Sequence, residues 1–318
     1  MPETHHGGAT PDTLVVVVHG LGGSPGAMSG VIAAARAALG TIDVLAPAMP
    51  YGGLGLLTHA TPADAVGLVL DGIDARWRQR VERQGEGYAR VYLLGHSVGG
   101  LVQRKVMVVA YGETPDAPFE RGYDRFREPR PWANRITRLV MLAGMAKGWS
   151  LTSASSRIEG FRWAVGMMLG TVTGAGRAIV MESRRGLPFV VQTRLQWLAL
   201  ARHADRPRLE VVQILGTRDD LVAPDDMIDL AVDVDVEGAE YALVEMPDTS
   251  HADIIDMADP AGHATTAQAI RWRILAHVLA QPVAAVQASP EAIAPALLAD
   301  GSRARPDHAV TDVVFVIH

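Results

Sequence analysis

Short apolar runs alternate along the chain with longer segments of helical length. The runs are rich in Val, Ile and Leu, as in strands that are buried on both faces of a parallel sheet. They lie at residues 15–18, 42–46, 91–94, 139–142, 211–215 and 241–244. The longer segments lie at residues 27–39, 62–83, 98–110 and 265–280. This alternation predicts an α/β fold with a mostly parallel central sheet and helices on both faces.

Two regions interrupt the alternation. Residues 144–190 are rich in Gly, Ser and Met and contain no clear strand. We interpret them as a helical cap or lid inserted over the strand ends, and the alternative is an ordinary packed pair of helices. Residues 281–318 form an Ala- and Pro-rich tail that begins with the composition of a linker. The main domain is therefore predicted to span residues 13–280.

The end of the chain resembles its beginning. Residues 312–318 read DVVFVIH and residues 13–19 read TLVVVVH, so each is an apolar run that ends in His. Two interpretations stay open. The terminal run is either the first strand of a truncated second domain or an added edge strand that matches by chance.

Composition narrows the class of protein. The 318 residues are 48% hydrophobic and 20% charged, as in globular proteins, and the net charge of −6 argues against a nucleic-acid partner. The absence of Cys excludes disulfides and thiol nucleophiles. No signal sequence is visible in the polar N-terminus, and the apolar segment at residues 164–176 is too short to span a bilayer. We expect a cytoplasmic location.

A candidate nucleophile follows the third apolar run. Residues 95–99 read Gly-His-Ser-Val-Gly and stand between the strand predicted at 91–94 and the helix predicted at 98–110. A G-x-S-x-G motif between a strand and a helix indicates a nucleophile elbow, which presents the serine at a sharp, strained turn. We therefore predict Ser97 as the nucleophile, and the alternative is a serine that only caps the helix.

A second copy of the motif tests this choice. Residues 22–26 read Gly-Gly-Ser-Pro-Gly, but the residue after the nucleophile must donate its backbone N–H to the oxyanion. Pro25 has no N–H, whereas Val98 has one. The Gly-rich loop after the first strand supplies a second donor, the N–H of Leu21. His19 is expected to fix this loop by hydrogen bonding without taking part in catalysis.

The serine needs an imidazole base, and eleven histidines compete for that role. His251 lies in a polar loop after the last predicted strand and is our choice. His59 and His263 are harder to dismiss than the others. His96 lies inside the elbow motif, and its side chain is expected to point away from the serine.

The acid that orients the base should follow a strand between Ser97 and His251. Asp219 and Asp220 come directly after the run at 211–215. Asp219 is our choice and Asp220 is the rival, because one of the two can cap the turn while the other takes part in catalysis. The resulting order, Ser97, Asp219, His251, is the order of the α/β-hydrolase fold.

Four segments carry a resemblance to a known family: VVVVHGLGG at 15–23, LLGHSVGGLV at 93–102, LGTRDDLVAP at 215–224 and SHAD at 250–253. With them, the chain resembles the α/β-hydrolase superfamily and, within it, the bacterial serine esterases and lipases. The resemblance covers about residues 13–280. It implies the same triad, the oxyanion donors Leu21 and Val98, and no cofactor or metal.

The expected reaction is hydrolysis of a small-molecule or lipid ester. Trp149, Phe161, Met167 and Met168 are candidates for substrate contact, since Met-rich apolar surfaces adapt to varied shapes. A lipase would need the cap to make transient contact with a lipid surface. Thioester hydrolysis or acyl transfer by the same triad is the main alternative, and a non-catalytic binding protein is a further one. Sequence leaves the oligomeric state open.

Overall fold

A single parallel sheet organises the molecule. The computed structural model describes residues 11–52, 60–149, 179–202, 209–219, 221–222 and 239–292. Within these ranges the strands are β1 (Thr13–Val18), β2 (Asp43–Leu45), β3 (Arg90–His96), β4 (Ile136–Leu142), β5 (Leu209–Gly216) and β6 (Ala239–Met246). All neighbouring strands pair in parallel, in the order β2-β1-β3-β4-β5-β6. The predicted α/β class is confirmed, and each strand contains or overlaps one predicted apolar run.

The helices lie between and after the strands. They are α1 (Ser29–Leu39), α2 (Pro62–Gln84), α3 (Val98–Ala110), α4 (Ile179–Glu182), α5 (Pro188–Ala201), α6 (Thr266–Ala280) and α7 (Val283–Gln287). Local sequence signals set several ends. The Thr61 hydroxyl accepts from Asp64 N–H and the Asp64 carboxylate accepts from Thr61 N–H, which forms a capping box at the start of α2. Gly85 ends that helix with a left-handed φ of 80°.

The strand order places a switch point at the centre of the sheet. From β1 the chain moves outward to β2 and then returns past β1 to β3. Because such crossovers are right-handed, α1 and α2 lie on opposite faces. In sheets of this kind ligands bind outside the carboxyl ends of the strands at the switch point. Here that point lies between β1 and β3, where the Gly-rich loop and the elbow motif begin.

Helix α3 is the most deeply buried helix in the described part of the chain. All 13 of its residues are buried, and it packs against β3, β4, α2 and α5. Its two cations have partners, as buried charges require. Lys105 Nζ donates to Glu120 at 2.7 Å and to Gln196 Oε1 at 2.5 Å, and Arg104 donates to Ala146 O at 3.1 Å.

The two ends of the predicted cap lie side by side. The backbone N–H of Trp149 donates to Ser183 O at 3.1 Å, and that of Arg185 donates to Trp149 O at 2.8 Å. The chain therefore leaves this place after residue 149 and returns to it by residue 183. Residues 150–178, which include most of the predicted cap, lie outside the described residues.

The start of the predicted tail packs on the sheet. Val283 and Val286 of α7 are fully buried, and Glu245 N–H donates to Glu291 O at 2.9 Å. Val244 forms an antiparallel bridge with Ala292. Residues 281–292 thus cover β6. Residues 293–318, which include the terminal run that resembles β1, lie outside the described ranges.

None of the helices in the described part of the chain is both long enough and apolar enough to cross a membrane.

Candidate active site

Ser97 stands at a strained turn between β3 and α3. Its φ of 54° and ψ of −124° are rare for a residue with a side chain. Its N–H donates to Leu142 O at 2.9 Å, and its carbonyl accepts from Gly100 N–H at 3.0 Å, which holds the turn. Ser97 is buried, with only 6% of its surface exposed. Strain of this kind is typical of the nucleophile elbow that the sequence predicts.

The glycines of the elbow are required by close packing. A Cβ at Gly95 would lie 2.4 Å from Gly99 O, and a Cβ at Gly99 would lie 2.4 Å from Val18 O. The elbow is therefore pressed against the end of β1. In the second copy of the motif a Cβ at Gly26 would lie 3.7 Å from its nearest neighbour. Ser24 there is exposed and has an extended φ of −146°, so it lacks the strain of an elbow.

The loop after β1 lies against Ser97. A Cβ added to Gly20 would lie 3.0 Å from Ser97 Cβ, so only glycine lets the backbone approach this closely. Leu21 follows at once and is half-buried. Val98 is the first residue of α3, and its N–H is one of the four that have no acceptor inside a helix. The N–H groups of Leu21 and Val98 thus remain the candidate oxyanion donors.

His19 holds the Gly-rich loop in place. Its Nδ1 donates to Gly20 O at 2.8 Å, and its Nε2 accepts from Met49 N–H at 3.2 Å. The hydroxyl of Tyr51 donates to His19 O at 3.1 Å, and Gly22 N–H donates to Tyr51 O at 3.1 Å. Burial lowers the pKa of His19, which keeps the ring neutral for this pattern. Sequence reasoning found His19 but missed Met49 and Tyr51, whose contact with the loop has no local signal.

His251 and Asp219 form a buried pair. His251 Nδ1 donates to Asp219 Oδ2 at 2.8 Å, and the two residues are 7% and 6% exposed. The other carboxylate oxygen of Asp219 accepts from the N–H groups of Leu221 at 3.0 Å and Val222 at 2.9 Å. Two backbone donors and one ring donor therefore fix Asp219. The rival, Asp220, lies outside the described residues.

Close contact between two loops brings this pair together. A Cβ at Gly216, the last residue of β5, would lie 2.3 Å from Thr249 O, and Arg218 N–H donates to Thr249 O at 3.0 Å. The loops that carry Asp219 and His251 are thus fastened to each other. Of the two other histidines that sequence could not dismiss, His263 is exposed and His59 lies outside the described residues.

Within the described residues, Ser97 Oγ and His251 Nε2 are not joined by a hydrogen bond, and the His251 ring is held through Nδ1. Catalytic hydrogen bonds are often long without substrate and tighten in the complex. Both residues follow strands of one parallel sheet, β3 and β6, so they lie at the same edge. The structure thus places a candidate nucleophile and a candidate base at one edge of the sheet.

His96 makes a contact that sequence reasoning did not predict. Its ring lies against that of His251, with ring centroids 5.1 Å apart. Its Nε2 lies 3.0 Å from His251 O. Sequence reasoning missed this contact because it joins residues 155 positions apart.

Backbone strain collects at this edge of the sheet. Three non-glycine residues in the described ranges have a positive φ: Ser97 at 54°, Ala143 at 48° and Asp248 at 47°. They follow β3, β4 and β6 respectively. Strain of this kind clusters at functional sites, where the surrounding structure enforces it.

Among the predicted substrate contacts, Trp149 is buried, and Phe161, Met167 and Met168 lie outside the described residues. No group of three or more potential metal ligands occurs in the described part of the chain.

Comparison with known proteins identifies relatives of this architecture. The sequence profile described as "Alpha/beta hydrolase family" matches residues 15–264, whereas no curated protein matches the chain. Among solved structures, the monoacylglycerol lipase of Paleococcus ferrophilus is 19% identical, with 85% of this chain and 95% of that chain covered and a TM-score of 0.47. The RedJ thioesterase of the prodiginine pathway in Streptomyces coelicolor is 17% identical, with 85% and 91% covered and a TM-score of 0.44. Esterase B of Lactobacillus rhamnosis is 16% identical, with 76% and 67% covered and a TM-score of 0.48. At these values the likeness carries nothing about substrate.

Proposed function

Because the chain belongs to the α/β hydrolase family, whose profile matches residues 15–264, we propose that it is a serine hydrolase that cleaves carboxylic esters. The observation that carries this proposal is the buried His251–Asp219 pair, joined at 2.8 Å, at the same sheet edge as the strained Ser97. A nucleophile, a base and an acid that orients the base are recognised by their geometry and roles. A metal or organic cofactor has no role in the proposed reaction.

The first half of the reaction forms an acyl-enzyme. Asp219 accepts a hydrogen bond from Nδ1–H of His251, and this tautomer leaves a lone pair on Nε2, which takes the Ser97 hydroxyl proton to give an imidazolium. Ser97 Oγ attacks the ester carbonyl carbon, and the carbonyl oxygen becomes an oxyanion. The N–H groups of Leu21 and Val98 stabilise that charge, and loss of one such donor typically costs about 10²–10³ in rate. The C–O bond then breaks, and the His251 imidazolium gives its proton to the leaving alkoxide.

The second half releases the acid. His251 Nε2 takes a proton from water, and the resulting hydroxide attacks the acyl carbon. The second tetrahedral intermediate expels Ser97 Oγ, which recovers its proton from His251. The enzyme returns to its starting state with one ester and one water converted to an acid and an alcohol.

The decisive experiment compares the two serines that share the motif. p-Nitrophenyl esters of increasing acyl length are assayed with the wild type, Ser97→Ala and Ser24→Ala. We expect Ser97→Ala to lose about 10⁶ in kcat, as for the removal of other catalytic serines, and Ser24→Ala to keep wild-type activity. Mass spectrometry after a fluorophosphonate should find one adduct, on Ser97. Equal activity of Ser97→Ala and wild type would refute the proposal.

The two neighbouring aspartates supply the second comparison. Asp219→Asn should lose about 10⁴ in kcat, because an amide in that place disfavours the required tautomer of His251. Asp220→Asn is the matched control and should stay close to wild type. If Asp220→Asn alone abolished turnover, the assigned acid would be wrong.

The same assays separate the remaining alternatives. Hydrolysis of acyl thioesters faster than the matching oxygen esters would favour a thioesterase, and transfer to added alcohol in preference to water would favour an acyltransferase. No reaction of the wild type with any ester or with the fluorophosphonate would favour a binding protein. Activity that persists as the acyl chain lengthens would indicate a lipid ester substrate.

A further inference from the structure

His96 connects the three segments that the proposed reaction uses. It is the last residue of β3 and directly precedes Ser97 in the elbow, and its ring packs against that of His251 with centroids 5.1 Å apart and planes at 42°. Its Nε2 lies 3.0 Å from the backbone oxygen of His251. On its other side, a Cβ at Gly20 would lie only 2.9 Å from His96 Nδ1. One side chain therefore touches the elbow, the oxyanion loop and the loop of the base.

The hydrogen bond to His251 O determines which nitrogen of the His96 ring carries the proton. A carbonyl oxygen only accepts hydrogen bonds, so Nε2 of His96 carries the proton and donates it to His251 O. The pKa of His96 is lowered to about 3, chiefly by burial and also by the charges of His251 and His19, although the hydrogen bond to His251 O and the charge of Asp219 oppose this shift. The ring thus stays neutral when His251 becomes an imidazolium, and the site avoids a second cation beside the first.

The position of the contact matters because His251 is reached through a long loop. Between β6 and α6 the chain runs from residue 247 to residue 265 with only a short 3-10 turn, Asp253–Ile255. Asp219 fixes the imidazole through Nδ1, and Arg218 N–H holds the loop at Thr249 O, but neither bond is made to the main chain of His251 itself. The hydrogen bond from His96 joins this main chain directly to the residue that precedes Ser97.

We propose that His96 is a positioning residue that holds the main chain of His251 at a fixed distance from Ser97 through its hydrogen bond to His251 O. This inference rests on the proposed function, since it assigns Ser97 and His251 as nucleophile and base. A displacement of about 1 Å in such a pair costs on the order of 10²-fold in rate. His96 itself exchanges no proton with the substrate.

Two substitutions separate the hydrogen bond from the volume of the ring. His96→Phe keeps a flat ring without a donor, and His96→Gln brings an amide N–H to roughly the place of Nε2. We expect His96→Phe to lose about 10² in kcat with little change in KM, and His96→Gln to recover activity to within about tenfold of wild type. His263→Phe, at an exposed histidine, is the control and should match wild type. A folded His96→Phe enzyme with kcat within threefold of wild type would overturn the proposal.

A further pair and a spectroscopic readout keep the test decisive. If His96→Phe fails to fold, His96→Asn replaces it, because its shorter amide falls short of the place of Nε2. His96→Asn should then be at least tenfold slower than His96→Gln, and equal rates would refute the positioning role. The downfield proton resonance of the His251–Asp219 bond should shift in His96→Phe and remain in His96→Gln, whereas a structural role alone predicts no such difference.

The outcomes distinguish this inference from the proposed function. If wild type and Ser97→Ala are equally active, the proposed function fails whatever His96 does. If Ser97→Ala is inactive while His96→Phe is as fast as wild type, the proposed function stands and the positioning role fails.

Discussion

Replacement of Gly99 by Ala tests the close packing on which the elbow depends. Gly99 is the last residue of the motif at 95–99, and a Cβ there would lie 2.4 Å from Val18 O and 2.8 Å from His19 O. Both neighbours are backbone atoms of the sheet and its following loop, so neither can turn aside as a side chain would. Ordinary contact begins about 1 Å further out, and the elbow must move by roughly that much.

The expected effects can be separated by size. Gly99 is the second residue of α3, and Ala is favoured over Gly inside a helix by about 1 kcal/mol. The clash opposes this gain, because overpacking a filled site costs about 1–3 kcal/mol. We therefore expect a net loss of about 0–2 kcal/mol in the free energy of unfolding. A shift of about 1 Å also moves Ser97 and the Val98 N–H away from the oxyanion loop, which should lower kcat by about 10²-fold.

Gly26→Ala is the matched control, since Gly26 ends the second copy of the motif and its Cβ would lie 3.7 Å from Ser24 Oγ. Urea unfolding and p-nitrophenyl ester hydrolysis are measured on both variants. Gly26→Ala should match wild type in stability to within about 0.5 kcal/mol and in kcat to within about twofold. The packing argument would be refuted by a Gly99→Ala protein as stable and as active as Gly26→Ala.

Three further changes probe other parts of the structure. Burial lowers the pKa of Lys105 from 10.5 to about 8, so between these pH values the unfolded chain binds more protons than the folded protein. The difference in unfolding free energy between wild type and Lys105→Met should rise above pH 8 by up to about 1.4 kcal/mol per pH unit, and a fall would show that the ion pair with Glu120 prevails. Tyr51→Phe removes the donor to His19 O and should cost about 1 kcal/mol of stability and lower kcat more than it changes KM; unchanged kcat would separate this contact from the oxyanion loop. A chain that ends at Gln281 loses both buried valines of α7 and should unfold about 3–5 kcal/mol more easily than one that ends at residue 292, whereas equal stability would place the domain boundary at 281.

The elements of the sheet could be predicted because their signals are local. The run at residues 15–18 has no polar position, and the structure buries every residue of β1. The helix over residues 98–110 is predicted with the bounds that the structure gives, since the elbow fixes its start. Helix α5, Pro188–Ala201, has no counterpart among the predicted helices. Its own apolar residues lie on more than one face of the helix, since Leu195 is 54% exposed and Trp197 is fully buried. The helix therefore lacks the one-sided apolar pattern that is typical of a surface helix.

The site shows the same division between local and long-range information. A choice between Asp219 and Asp220 is beyond sequence, because neighbouring residues of a turn share one composition signal. The structure brings Asp219 to His251 by fastening two loops at Gly216, where the absent Cβ lets Thr249 O approach.

The contact of His96 with His251 is the clearest case of long-range information. It needs β3 and β6 to end at the same edge with two strands between them, and it needs the loop of His251 to fold back across that distance. No pattern near His96 encodes this, since the motif around it specifies only the turn that places Ser97. The proposed nucleophile and base can therefore be predicted from local motifs, whereas the contact that joins His96 to His251 follows only from the assembled sheet.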